Sequence, residues 1–193
     1  VSSFLSHLAR GLLSALTSST PPKQQVPRPR SEDPGSAHPR SGPAKPARQE
    51  PTAGREAGSQ TIRISPDSIH DLRVTYAPQR DGDPDAGEVV WTWVPYEEGD
   101  GRGKDRPVLV IGRQSANRVY AVRMTSKAHA GDRDFLPIGS GAWDGQGRDS
   151  WVDIEQLYSV HAKGMRREAA VLDRSRYDRV AKALIDRYGW ARA

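Results

Sequence analysis

Residues 104–113 read KDRPVLVIGR, and the fold turns on how this stretch is read. Pro107 to Ile111 form a continuous apolar run of strand length, suited to a strand buried on both faces. Arg106 stands directly before it, behind Lys104 and Asp105. A cation at the mouth of a buried strand either pairs with a nearby carboxylate or is held there to meet an anion.

Working outward, EVVWTWV (88–94) is rich in β-branched and aromatic residues, with Trp91 and Trp93 on one face by period two. RVYAVRM (118–124) alternates, placing Val119, Ala121 and Arg123 on one face and Tyr120, Val122 and Met124 on the other. SWVDIEQLYSV (150–160) and EAAVL (168–172) are further strand candidates. The turn-like spacers EEGDGRGKD, RQSAN, GSGAWDGQGRD and HAKGM separate them. Five or six short strands at this spacing predict a mainly β domain, a small and strongly curved antiparallel barrel. One helix closes it. Tyr177, Val180, Ala181, Leu184, Ile185 and Tyr188 recur at helical spacing, with Asp173 or Ser175 as N-cap and Gly189 as the stop. Residues 61–78 fit a strand and one helical turn leading into the domain.

The chain as a whole has 193 residues, 35% of them hydrophobic, and a mean hydropathy of −0.74. Those values fit a modest core diluted by a polar segment. Nine of the 15 prolines fall between Pro21 and Pro51, whereas all five tryptophans follow Gly87. The expected organisation is an amphipathic extension at 1–17, a disordered Pro-rich linker at 18–59, a lead-in at 60–86 and the barrel at 87–190. Phe4, Leu5, Leu8, Leu12, Ala15 and Leu16 recur at helical spacing, but Arg10 interrupts a run already too short to span a bilayer. The expected location is cytoplasmic, with membrane association through residues 4–16 as the alternative. Val1 in place of methionine leaves the upstream boundary open.

The net charge of +5 belongs mostly to the tail, because residues 58–193 carry 21 basic and 20 acidic side chains. Within the domain the charges separate. Residues 81–98 hold six acids and no base, and residues 100–133 hold eight bases and three acids. That basic stretch is a candidate anion-binding surface. Solvated loop charge is the plain alternative.

With no cysteine, disulfides, thiolate zinc sites and cysteine nucleophiles are excluded. GDGRGKD is glycine-rich but joins two strands, without the helix a P-loop requires. The five histidines show no metal-binding spacing, so no metal and no cofactor are expected. What remains is a polar set at strand ends: Arg106, Thr125, Ser126 and Gln156. Fixed cationic and hydroxyl donors suit an anionic transition state. RNA phosphoryl transfer fits, because the substrate brings its own 2′-hydroxyl nucleophile. Arg102, Lys104 and Lys127 are further candidate substrate contacts. His129 and His161 lie close enough in sequence to reach the strand ends, and His129 is a candidate acid or base. The plain reading pairs Arg106 with Asp105 or an acid from 81–98 and has Thr125 cap a turn.

The order GEVVW, GDGRGKDRPVLVI, YAVRMTSK, GRDSWVDIEQLYSV and an amphipathic helix resembles the PemK/MazF toxins of type II toxin–antitoxin systems, over about residues 87–190. The resemblance implies a small SH3-like barrel, usually a homodimer, that cleaves single-stranded RNA without metal. It implies attack by the 2′-hydroxyl, leaving 2′,3′-cyclic phosphate and 5′-hydroxyl ends. By the same resemblance Arg106 and Thr125 match the catalytic pair, and Gln156 matches a substrate-contacting glutamine. Some members carry a substrate-contacting serine six residues before the arginine. Here that position is Asp100, and an acid beside a phosphate is repulsive. A cognate antitoxin from a neighbouring gene, and DNA binding in complex with it, are also implied. Trp143 and Trp151 could stack on bases, although Trp151 reads more readily as core. The competing reading is a non-catalytic SH3-like module that binds nucleic acid or a protein partner.

Overall fold

The computed structural model describes residues 54–79 and 83–193, without the side chains of residues 167–169. The extension at 1–17, and the membrane alternative resting on residues 4–16, fall outside the described residues. So does most of the linker.

The described chain is mainly β, with one C-terminal helix. Its main sheet is antiparallel and built from β1 (Ile62–Ile64), β3 (Glu88–Pro95), β4 (Gly103–Arg113), β5 (Arg118–Thr125), β6 (Phe135–Gly139), β7 (Ser150–His161) and β8 (Met165–Val171). The order is β1-β7-β5-β4-β3-β8, with β6 also on β7. Helix α1 spans Arg174–Tyr188, and β2 (Arg73–Val74) pairs in parallel with β9 (Ala191–Arg192). The ambiguous stretch 61–78 therefore resolves into β1, one 3-10 turn at Pro66–Ser68, and β2.

The apolar run of β4 is buried on both faces, as its composition requires. Val108 and Val110 join an inner cluster with Val90, Val94, Val119, Ala121, Tyr158 and Val160. Leu109 and Ile111 join an outer cluster with Tyr120, Val122, Met124 and the α1 residues Tyr177, Val180, Ala181 and Leu184. The alternation expected of 118–124 is thus observed, one face to each cluster. Asp173 caps α1 by accepting from the Arg176 N–H at 3.0 Å, and Gly189 ends it at φ 71°.

Two expectations change. First, the barrel is not closed by backbone bonds, since β1 and β8 do not pair. Side chains bring the sheet ends together instead. The Thr61 and Thr92 hydroxyls meet at 2.7 Å, and Thr92 donates to the Gly164 carbonyl at 2.6 Å. Second, residues 54–59, read as linker, are turns packed against this seam. Gly54, at φ 86°, lies so close to it that a Cβ would stand 2.6 Å from Thr92 Oγ1, and Thr61 N–H donates to the Gly54 carbonyl at 3.2 Å.

Thr92→Val preserves shape but leaves the Thr61 hydroxyl and Gly164 carbonyl without their buried partner. A loss of roughly 1–3 kcal/mol is expected, measured by urea denaturation. An unchanged midpoint would show that the seam contributes nothing.

Candidate functional site

Arg106 does not stand at the entrance of its strand. β4 begins at Gly103, and Arg106 pairs with Thr92 of β3. The reason is one-sided pairing. Gly103 to Pro107 bond to β3, while the ladder to β5 begins only at Val108↔Arg123. Continued by two residues, that register sets Arg106 opposite Thr125, the last residue of β5. A cleft of about 360 Å³ opens where the two strands part, lined by Arg106, Thr125, Ser126, Lys104 and Lys127.

Arg106 is half-buried on the face that carries Val108 and Val110. Burial pulls its guanidinium below the ordinary arginine value, and the nearby Arg123 cation acts in the same direction. It remains a cation at neutral pH. Among the described residues no carboxylate lies within ion-pairing distance of Arg106, Lys104 or Lys127. The expected partner Asp105 is bound instead to Arg166. The other carboxylate on the cleft wall, Asp144, accepts from Arg148 Nε at 2.8 Å. That bond, with one from the Gln146 N–H, holds Asp144 below the usual carboxylate range. The cleft is therefore a pocket of positive charge.

Thr125 does cap a turn, as the plain reading has it: Oγ1 accepts from the Lys127 N–H at 3.1 Å. That bond uses an oxygen lone pair and leaves the hydroxyl proton to donate elsewhere. Capping and donation coexist.

Gln156 is not in this cleft. It is buried, its amide donating to Glu97 Oε1 at 2.5 Å and its oxygen accepting from the Tyr158 hydroxyl at 2.5 Å. Its partner Glu97 leads on to Arg123, a chain of contacts that sequence reasoning missed. Arg123 donates twice to Asp153 Oδ2, at 2.5 and 3.1 Å, and stands 4.0 Å from Glu97. Tyr158, fully buried, has its phenol pushed up by burial. The signal was present in the alternation: Arg123 shares a face with Val119 and Ala121, and Tyr158 follows Gln156 by two.

Other candidates sit elsewhere. Asp100 accepts from Arg102 Nε at 2.5 Å on the β3–β4 loop, so its charge is countered away from the cleft. His129 pairs with Asp132 at 3.4 Å, stacks on Phe135 at 3.5 Å between centroids, and does not line the cleft. His161 accepts from the Lys163 N–H at 3.0 Å. Trp143 reaches the cleft wall but is only 3% exposed, with its indole N–H on Ser150 Oγ at 3.0 Å. Gly141 packs on its ring so closely that a Cβ would stand 2.2 Å away. Trp143 is core, and no ring face is offered for stacking. Trp151 reverses the other expectation. It is half-buried, belongs to neither apolar cluster, and lies opposite Thr125 on the neighbouring strand.

The family described as PemK-like, MazF-like toxin of type II toxin–antitoxin system matches residues 85–187, just over half of the chain. MazF (Form-I) from Deinococcus radiodurans superposes at 21% identity and a TM-score of 0.44, over 55% of this chain and 97% of that one. MazE-MazF (Form-II) from the same organism gives 22% and 0.42, over 55% and 96%. The Mycobacterium tuberculosis toxin MazF-mt6 gives 16% and 0.40, over 52% and 97%. No curated protein sequence matches the chain.

Proposed function

Since this chain belongs to the PemK-like, MazF-like toxins of type II toxin–antitoxin systems, we propose that it is an endoribonuclease acting on single-stranded RNA. The observation that carries this reading is the cleft shared by Arg106 and Thr125, with a half-buried guanidinium that no carboxylate among the described residues neutralises. An anion placed there offsets the like-charge repulsion that Arg106 feels from Arg123.

In the reaction, the substrate's 2′-oxygen attacks the adjacent phosphorus and the 5′-oxygen departs. The 2′-proton is given up and a proton is taken up by the leaving oxygen. The products carry a 2′,3′-cyclic phosphate and a 5′-hydroxyl. Arg106 stabilises the charge gathering on the phosphorane oxygens, and its fixed fork suits two of them. The Thr125 hydroxyl donates to the same group. Lys104, Lys127 and Ser126 hold the flanking backbone, and Trp151, beside Thr125, offers a ring to a base. Gln156 acts from the far side of the Arg123 relay. As a toxin the chain acts as a homodimer and is countered by a cognate antitoxin.

The test is incubation of the full chain with mixed-sequence single-stranded RNA in EDTA. Cyclic-phosphate and 5′-hydroxyl ends are expected, with Thr125→Val slower by roughly 10²-fold, the scale for losing one oriented donor. RNA that is bound with a steep salt dependence but never cut would favour the non-catalytic module instead. Thr125→Val at the wild-type rate would remove Thr125 from the mechanism.

A further inference from the structure

We propose that a second cleft, between β1, the Pro66–Ser68 turn and the C-terminal end of α1, is an additional nucleotide subsite in which Arg63 takes a backbone phosphate of the RNA. The proposal rests on the ribonuclease reading and deepens it, because β1 lies outside the family-matched residues 85–187.

The added strand puts Arg63 directly opposite Tyr158 on β7, hence on the face that carries Tyr158 and Gln156. Its neighbour Ile64 faces the other way, into the outer core. Arg63 is exposed, and among the described residues it has neither a carboxylate within ion-pairing distance nor a hydrogen-bond partner. It is close enough to Tyr158 that its charge opposes the effect of burial on that phenol.

The cleft holds about 610 Å³ and is lined by Arg63, Ser65, Asp67, Gln156, Arg187 and Tyr188, with Glu155 beside them. That volume is in the range of small-ligand sites. Arg187 is already bound to Asp134 at 2.5 Å, which leaves Arg63 as the cation for a phosphate. Asp67 and Glu155, which also line the cleft, repel phosphate and can accept from base amino groups. Gln156 belongs both to this cleft and to the relay that leads through Glu97 and Arg123 toward Arg106. Arg63 and Arg106 line different clefts, on strands between which β7 and β5 intervene in the sheet order, so Arg63 takes a separate phosphate along the strand.

The experiment measures binding of the full chain to single-stranded RNA made uncleavable with 2′-O-methyl groups, across a salt series. Arg63→Gln is expected to weaken binding roughly five- to tenfold at low salt and to flatten the log–log salt slope by about 0.7, the value for one lost single-strand phosphate contact. Lys182→Gln removes the same charge from the exposed surface of α1, where Lys182 pairs with Asp186 at 2.5 Å, and is expected to bind as wild type. Arg63→Gln binding as wild type overturns the subsite, as does equal weakening by Lys182→Gln. Failure of the wild type to cut unmodified RNA, while the Arg63 difference persists, overturns the ribonuclease reading alone.

Discussion

Arg106→Ala is expected to slow cleavage of single-stranded RNA by roughly 10²–10³-fold, the range found when one preorganised stabiliser of developing charge is removed. Among the described residues, the other cations of the site are engaged elsewhere or more exposed: Arg148 is bound to Asp144. Arg123 is held by two bonds to Asp153, and Lys104 and Lys127 project from the cleft's exposed rim. Arg106→Lys restores part of the loss, because an ammonium supplies charge without the planar fork that spans two oxygens. Arg106→Ala should leave stability unchanged or improved. Arg106 is half-buried near another cation and makes no ion pair among the described residues, so removing it relieves repulsion. Loss of cutting together with an equal or higher Tm marks a residue kept for chemistry. Wild-type rates for Arg106→Ala would end its assignment, and a large fall in Tm would make it structural.

Asp153→Ala should have the largest effect on stability. Its side chain is 1% exposed, takes both bonds from Arg123 through Oδ2, and accepts the Glu155 N–H through Oδ1 at 3.0 Å. Removing it strands Arg123, itself only 17% exposed, beside Arg106. Breaking a buried pair from one side costs about 3–5 kcal/mol. Glu97, at 4.0 Å, can turn to recover some of it, so the low end of that range is expected. In thermal melts this is a fall of roughly 6–12 °C. Replacing both partners, Arg123→Met with Asp153→Leu, should cost less than the single change, because no charge is then left buried alone. Equal stability of Asp153→Ala and wild type would refute the account.

Much of this arrangement was legible in the sequence, for identifiable reasons. PVLVI suited a strand between two apolar layers, and Tyr177 to Tyr188 an amphipathic helix. β6 was missed because FLPIG has a proline in its middle and spans five residues; it forms only by pairing with β7. Arg106 and Thr125 were found as strand-end residues, although Arg106 lies inside β4. No local signal says that β5 stops short of pairing with Gly103–Pro107. Asp153 and Gln156 meet their partners through a break in the β5–β7 register, where Val122 opposes Leu157 but Met124 opposes Val152. Local sequence carries no trace of such a long-range irregularity. Trp143 and Trp151 exchanged roles for a similar reason. A tryptophan in a Gly-rich loop reads as exposed, yet Gly141 clears the space in which its ring is buried.

The single-residue alternation in β4 also carries electrical information. Asp105 and Arg106 are adjacent, and the pleat sends one to each side of the sheet. A slip of one position would exchange the valine layer for the Leu109–Ile111 layer, an apolar swap that a core could partly absorb. A slip in one direction would put the Asp105 carboxylate where the guanidinium stands and turn the cleft from attracting phosphate to rejecting it; in the other it would put Pro107 there and remove the charge. Length changes in the β3–β4 turn that shift this register are therefore filtered by loss or reversal of a charge before they are filtered by packing.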